Sequence, residues 1–188
     1  MKKTIFLMLL SLANCFVWAQ GRHINMPGQP IAKNNIAEKD NGYWCATEFG
    51  GGSTVMDNMK NVAMVGGSFT NGYRFNQYLK VGLGLGVLYY LNNKNVRVSD
   101  NHFSVPIFFN ARGNVLSDDI RRTVPFWSAN IGTSVSDGFF FTPAFGLRIG
   151  EMRSAFLLSL AYTFRRLDAY PEKVNDYHGA FLKLGYEF

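Results

Sequence analysis

The residues best suited to catalysis lie together at His102-Phe103-Ser104. Residues two apart on a β-strand share a face. The imidazole of His102 can then accept the hydroxyl proton of Ser104, provided that a carboxylate orients the imidazole. Asp100 is nearby in the sequence, but no carboxylate is clearly placed for that role. We therefore interpret His102 as an interface residue at the rim of a strand and predict no catalytic residue.

The glycine run Gly82-x-Gly84-x-Gly86 is not a phosphate-binding loop. Such a loop follows a strand and opens a helix, whereas these glycines lie inside a strand pattern with no helix after it. Their spacing puts all three on one face, where the lack of a side chain leaves room. No cofactor and no metal site is predicted.

The elements that carry these residues are short runs with a period of two. In Tyr78–Leu91, leucine and valine alternate with Lys80 and the three glycines. A helix requires apolar residues three and four apart, and each glycine weakens it by about 1 kcal/mol. The sequence predicts eight strands: Tyr43–Phe49, Val62–Thr70, Tyr78–Leu91, His102–Val115, Val124–Val135, Phe139–Ile149, Ser154–Arg165 and His178–Phe188.

The connections between these strands alternate in length. Long connections face outside and short turns face the periplasm in outer-membrane barrels. The longer, polar connections are Gly50–Lys60, Leu91–Asn101 and Arg166–Tyr177, and the shorter ones are Arg74–Gln77, Ser117–Arg122 and Gly150–Arg153. Ser136–Gly138 is a short link where the alternation predicts a long loop.

Composition separates this chain from a soluble domain. Charged residues make up 17% of its 188 residues and hydrophobic residues 47%, whereas soluble domains carry about 25% charged residues. No apolar stretch after the N-terminal segment reaches the ~18 residues of a spanning helix. Lipid accepts only helices and closed barrels. We predict an all-β, eight-stranded antiparallel up-and-down transmembrane β-barrel over residues 42–188.

The first residues predict export. Lys2 and Lys3 precede the apolar run Ile5–Leu12, and Val17-Trp18-Ala19 ends in a small residue, a pattern typical of a secretory signal. We predict that residues 1–19 are a signal peptide and residues 20–41 a periplasmic leader segment. A retained N-terminal anchor and lipidation at Cys15 are the alternatives.

Charge and cysteine content exclude several classes of partner and site. Loss of Lys2 and Lys3 lowers the formal net charge from +6 to +4, and no basic run forms a nucleic-acid stripe. With Cys15 removed in the signal peptide, Cys45 has no cysteine left to pair with. Nucleic acid is not a predicted partner, and neither a disulfide nor a cysteine zinc site is predicted.

Alternation alone does not say which face meets lipid. A soluble lipocalin is also an eight-stranded barrel but is apolar inside, and Gly42-Tyr43-Trp44 is similar to its first-strand motif. The polar faces here carry few solvating charges and many small residues, as a narrow interior requires. In the first strand, Glu48 is expected to point inward, which places Tyr43, Cys45 and Phe49 on the outer face. The predicted inward charges are Glu48, Arg112, Arg148, Arg165, Lys183 and Glu187.

Eight strands enclose an interior just wide enough for side chains to fill. Buried charges must be paired, so we expect a network of ion pairs that blocks the lumen. A narrow polar pore is the alternative.

Two motifs resemble a known family. Gly72–Leu79 followed by Val81–Gly86 resembles small outer-membrane β-barrel-domain proteins of Gram-negative bacteria, sometimes called porin-like, and Ser104–Arg112 is similar to the next strand of that family. The resemblance covers Gly42–Phe188. It implies the architecture and the cell outer membrane as the location, with outer-membrane lipid as a partner, and says almost nothing of a ligand. Lipid A deacylases of similar size also carry a His-x-Ser pair, which keeps a lipid-modifying hydrolase as a further alternative.

The C-terminal Tyr186-Glu187-Phe188 is similar to the aromatic-x-Phe signal of the barrel-assembly machinery. An edge strand can pair with a strand of the machinery while its aromatic side chains fill apolar pockets. We predict Tyr186 and Phe188 as an assembly signal, and the machinery as a partner during biogenesis. The alternative is that they are ordinary aromatic residues at the membrane interface.

Overall fold

Strands form wherever apolar residues alternate with small or polar ones. The computed structural model describes residues 41–56, 61–91, 102–118, 121–135, 138–151, 153–167 and 175–188. The predicted signal peptide and nearly all of the predicted leader segment lie outside these residues. The strands are β1 (Gly42–Met56), β2 (Asn61–Asn76), β3 (Leu79–Tyr90), β4 (Phe103–Ser104 and Pro106–Asn114, interrupted at Val105), β5 (Thr123–Ser134), β6 (Gly138–Glu151), β7 (Ser154–Leu167) and β8 (Asn175–Glu187).

The eight strands close into one barrel. Each strand pairs antiparallel with its neighbours in the sequence, and β1 pairs with β8 from Ala46 opposite Glu187 to Met56 opposite Tyr177. Backbone hydrogen bonds from Cys45 N to Phe188 O (3.3 Å) and from Phe188 N to Cys45 O (2.8 Å) complete this seam. The predicted all-β, eight-stranded antiparallel up-and-down barrel is confirmed.

Among the described residues, no helix is long and apolar enough to cross a membrane.

The first two strands are longer than predicted. β1 continues to Met56, so the predicted loop Gly50–Lys60 is wrong over its first half. Gly50, Gly51 and Gly52 lie in the ladder, where the adjacent strands approach closely. A Cβ on Gly52 would lie 2.1 Å from Ala180 O, and one on Gly50 would lie 2.7 Å from Leu182 O.

The two ends of the barrel differ. One end, the turn end, carries both ends of the barrel chain and the connections β2–β3, β4–β5 and β6–β7. The Asn76 side chain accepts hydrogen bonds from Tyr78 N and Leu79 N, both at 2.8 Å, and so closes the tight β2–β3 turn. The opposite, loop end carries the other four connections. There β6 begins at Gly138, whose φ of 68° favours glycine and permits the short β5–β6 link.

Burial alternates along the strands, which assigns the two faces. Small, polar and charged side chains point inward, together with a few large apolar ones such as Trp44 and Phe126, which form a core with Ala46 and Leu157. Most leucine, isoleucine, valine and aromatic side chains of the strands point outward, and many of them are exposed. A lipocalin interior is therefore wrong for this chain.

The outer surface is almost free of charge. Among outward-facing strand positions whose side chains the structure describes, Glu151 at the end of β6 is the one charged residue. Outward-facing tyrosines lie near the strand ends: Tyr43, Tyr73, Tyr78 and Tyr186 at the turn end, and Tyr89 and Tyr162 at the loop end.

Candidate functional site

The barrel interior at the turn end is organised around Glu187, the last residue of β8. Its Oε1 accepts hydrogen bonds from Arg74 Nη2 at 2.9 Å, from Arg148 Nε at 3.4 Å and from Lys80 Nζ. These cations come from β2, β6 and β3, so one carboxylate joins four strands across the lumen. All four side chains are almost completely buried.

The β4–β5 connection adds a second carboxylate to this cluster. Asp118 Oδ2 accepts hydrogen bonds from Arg148 Nη1 at 3.0 Å and from Asn114 Nδ2 at 3.1 Å. The backbone N–H of Asp118 donates to Gln77 Oε1 at 2.9 Å. The described part of the connection therefore lies against the turn end of the interior.

A second ionic layer lies next to this cluster, further along the strands. Arg112 Nη2 donates to Glu48 Oε2 at 3.0 Å, and Arg112 Nε donates to Asn110 Oδ1 at 2.9 Å. Asn110 in turn hydrogen-bonds Asn130. The guanidinium of Arg112 also lies 4.8 Å from the centre of the Trp44 ring, a cation–π geometry.

These two layers place buried, paired charges across that half of the interior. A charge removed from water is tolerated only when it is paired and hydrogen-bonded, and loss of one partner is strongly destabilising. The seven charged residues of the two layers are termed the plug: Glu48, Arg74, Lys80, Arg112, Asp118, Arg148 and Glu187.

The loop end of the interior is less densely filled. Arg165 stacks on Phe140, with 5.1 Å from its guanidinium carbon to the ring centre, and its Nη1 lies 3.4 Å from Tyr90 OH. Thr142 and Thr163 share a hydrogen bond of 2.8 Å between their hydroxyls. Next to them is a cavity of about 70 Å³. Its wall includes the inward-facing Lys183.

The six predicted inward charges all face the interior, although they do not form one cluster. Glu48 and Arg112 form a pair, and Arg148 and Glu187 meet at the turn end. Arg165 and Lys183 line the loop-end cavity, where Lys183 is only half-buried.

Sequence reasoning missed three members of the plug. Lys80 was placed on the inner face by alternation, and only the role of its charge was overlooked. Arg74 was assigned to a turn because the predicted β2 stops at Thr70. The strand continues to Asn76, and Arg74 lies on the same face as Thr70 and Gly72. Asp118 lies in a connection and not in a strand, so the alternation of side chains does not apply to it. Nothing in the sequence indicates that this residue reaches Arg148.

His102 and Ser104 differ in burial although they are two residues apart. His102 precedes β4, is exposed and stacks on the Tyr89 ring at 5.8 Å, whereas Ser104 is fully buried and its hydroxyl hydrogen-bonds that of Ser134. The strand period does not apply to His102, because the strand begins one residue after it. Asp100 lies outside the described residues.

The two residues of the predicted assembly signal lie on the outside of the barrel at the turn end. The Tyr186 ring contacts Phe156 and Phe188 at centre distances of 4.9 Å and 4.7 Å, both edge to face. Their neighbour Glu187 points inward. The last strand therefore carries an aromatic cluster on its outer face and the central carboxylate of the plug on its inner face.

Cys45 lies in the outward row of Tyr43 and Phe49, as expected, yet its side chain is only 1% exposed. It pairs through its backbone with Phe188 at the barrel seam.

A solved structure resembles this barrel over most of its length. The crystal structure of Neisserial surface protein A (NspA) superimposes with a TM-score of 0.59 at 9% sequence identity, covering 77% of this chain and 95% of that chain. The two proteins share a fold. NspA is an eight-stranded barrel of a Gram-negative outer membrane. At 9% identity, the similarity between the two proteins is limited to this architecture.

The N-terminal β-barrel domain of Pseudomonas aeruginosa OprF also aligns, with a TM-score of 0.45 at 16% identity over 79% of this chain and 99% of that chain. No protein-family model matches the sequence, and no curated protein does so either.

Proposed function

We propose that this protein is a non-enzymatic β-barrel of the Gram-negative outer membrane, with a side-chain-filled lumen and a structural or surface-interaction role. One observation carries the proposal: an apolar outer wall, almost free of charge at its described positions, surrounds an interior held by buried ion pairs. That is the reverse of a water-soluble barrel.

The outer wall is suited to acyl chains. Leucine, isoleucine, valine and phenylalanine side chains such as Leu83, Phe145, Leu160 and Leu184 remain well exposed on successive strands. Soluble monomers rarely expose continuous apolar patches larger than a few hundred Å². Tyrosines near both ends of the strands fit the two aromatic girdles of an outer-membrane barrel.

The loop end is the end proposed to face outside the cell. Short turns face the periplasm in such barrels, and the short connections from β2 to β3 and from β6 to β7 share one end with Gly42 and Phe188. A surface-interaction role therefore belongs to the connections at the opposite end.

Membrane location can be tested by fractionation and gel mobility. The mature chain, expressed in a Gram-negative host, is expected to sediment with outer membranes. Unheated samples should migrate faster on a gel than boiled ones, because the closed barrel resists detergent. A chain that stays monomeric and folded in buffer without detergent would contradict the proposal.

A narrow channel is the second candidate, because the cavity shows that the loop-end half of the lumen is not completely filled. The plug favours a closed barrel. Purified protein in planar bilayers is expected to give no conductance steps. Regular steps that disappear when the protein is omitted would favour the channel instead.

The barrel-assembly machinery is the proposed partner during biogenesis. The aromatic cluster of Tyr186, Phe188 and the exposed Phe156 on the outer face at the end of the last strand supports this role, since it offers apolar side chains beside a strand edge that is free until the barrel closes.

A further inference from the structure

The seam between β1 and β8 is the pairing that joins the two most distant strands of the barrel. Every other pair of neighbouring strands is consecutive in the sequence, whereas six strands separate β1 from β8. Bringing distant segments together costs more chain entropy than forming a hairpin. The contacts that hold β8 against β1 therefore have the largest entropic cost to offset.

Two ion pairs of the plug do not depend on this seam. Arg112 and Glu48 both belong to the first four strands, and their side chains meet at 3.0 Å. Arg148 and Glu187 both belong to the last three strands, and Arg148 Nε lies 3.4 Å from Glu187 Oε1. Both pairs can therefore form while the sheet is still open between β1 and β8.

Arg74 and Lys80 differ from these pairs because their contacts cross the seam. Arg74 lies on β2 and Lys80 on β3, and both donate to Oε1 of Glu187 on β8, Arg74 at a distance of 2.9 Å. They precede Glu187 by 113 and 107 residues in the sequence. In the closed sheet, β1 lies between β2 and β8, so both contacts require that β8 lies beside β1.

These contacts also depend on the register of the seam. Glu187 is opposite Ala46 in the observed pairing. The smallest slip that keeps the inner and outer faces is two residues, which would move Glu187 about 7 Å along β1. A hydrogen bond of 2.9 Å from Arg74 would be broken by such a displacement. Arg74 and Lys80 therefore favour one register among those that the alternation of side chains permits.

We propose that Arg74 and Lys80 form an electrostatic latch, which binds Glu187 from across the seam and so holds β8 against β1 in a single register. Hydrogen bonds between ionised groups are strong, and more so in an interior that excludes water. Arg148 contacts the same carboxylate from the last three strands and is not part of the latch. The latch depends on the strand order and the barrel interior, and not on the membrane location proposed above.

Hydrogen exchange tests the latch, measured by nuclear magnetic resonance on barrels refolded in a non-ionic detergent. Lys80→Met and Arg74→Met each remove one cation that crosses the seam and leave Glu187 with two others. Both variants are expected to speed exchange of the amides that bond between β1 and β8 about tenfold or more, relative to those that bond between β4 and β5. The reason is that a weaker latch permits local opening of the seam.

Arg148→Met is the matched control, since it removes a cation from the same carboxylate without breaking a contact across the seam. Its ratio of exchange rates between the two sets of amides should stay near that of wild type. Lys80→Arg should also keep the wild-type ratio, because it retains the charge. The same ratio in Lys80→Met, Arg74→Met and Arg148→Met would overturn the latch.

Wild-type protein provides a test that needs no variant to refold. Exchange is followed at rising urea concentrations below the unfolding transition. The amides at the centre of the seam are expected to exchange through global unfolding, with the same dependence on urea as those between β4 and β5. Seam amides that exchange about a hundredfold faster, through an opening that urea does not promote, would show that no latch holds the seam.

Discussion

At the scale of single residues, Glu187 contacts more of the plug than any other described side chain. Three cations from three other strands converge on its Oε1. Such an arrangement is weak evidence for net stabilisation, because desolvation of the ions offsets much of their attraction. Removal of the shared carboxylate has a larger effect, because three buried cations lose their common partner.

Glu187→Gln is expected to lower the free energy of unfolding by about 3–5 kcal/mol, because Arg74 and Lys80 lose the carboxylate that holds them. Urea titration of refolded barrels in lipid vesicles, followed by tryptophan fluorescence, measures the change. The matched control is Glu151→Gln, an exposed carboxylate on β6, which should alter stability by less than about 0.5 kcal/mol. Similar losses in the two variants would show that the plug does not depend on Glu187.

At the scale of strands, close approach depends on glycine. β2 and β3 come together where Gly72 is opposite Gly82. A Cβ on Gly72 would lie 2.0 Å from Val81 O and 2.4 Å from Gly82 Cα. Both neighbours are backbone atoms, so no rotation of a side chain can relieve the overlap.

Gly72→Ala is therefore expected to destabilise the barrel by about 1–3 kcal/mol through displacement of the two strands. Gly51→Ala is the control, since its Cβ would meet Val65 Cγ1 at 3.4 Å, an ordinary contact. Its effect should be within about 0.5 kcal/mol. The same urea titration compares the two, and equal stability would mean that the strands can separate without cost.

A substitution at the end of the last strand can test the predicted assembly signal. Phe188→Ala keeps the backbone bonds to Cys45 but removes the ring that contacts Tyr186. We expect less folded barrel in the outer membrane of cells and little change in refolding of purified protein, because only the cellular route requires recognition. The readout is the heat-modifiable fraction from each route.

Phe139→Ala is the matched control for that experiment, since it removes an exposed ring at the opposite, loop end of the barrel. A cellular defect of equal size in both variants would show that aromatic residues at either interface act alike, without a terminal signal.

The sequence predicted which side chains face the interior better than it predicted where each strand ends. The alternation of side chains along a strand placed Glu48 and Arg165 on the inner face. This assignment is robust, because a shift by one residue would move every side chain of the strand to the opposite face. The ends of β1 and β2 were misplaced, since glycine indicates a turn and a close strand contact equally well. Asp118 could not be foreseen, because its position depends on Arg148 and Gln77 from distant parts of the chain.

At the scale of the whole molecule, the apolar outer wall determines whether the barrel is more stable in a bilayer or in water. The cost of a charge on a lipid-facing side chain depends on depth and is greatest at the middle of the bilayer. The strands offer both positions for a comparison. Leu160 lies midway along β7 and is 64% exposed, whereas Leu79 begins β3 and is 40% exposed.

Leu160→Arg is expected to destabilise the barrel in vesicles by about 2–4 kcal/mol, and Leu79→Arg by about 0–1 kcal/mol. The difference should vanish in detergent micelles, which adapt around a charge more readily than a bilayer does. A loss that is equal at the two depths in vesicles would contradict the proposed orientation in the membrane.

The seam between β1 and β8 has a consequence for how the chain can be cut and rejoined. Cys45 and Phe188 exchange two backbone hydrogen bonds, so the two ends of the barrel chain are adjacent in space. A short linker between Phe188 and Asn41 would allow a circular permutant that begins at Tyr78, in the tight turn between β2 and β3. Every strand would keep its neighbours while β8 became an internal strand, so the permutant separates the architecture of the barrel from the order in which its strands are synthesised.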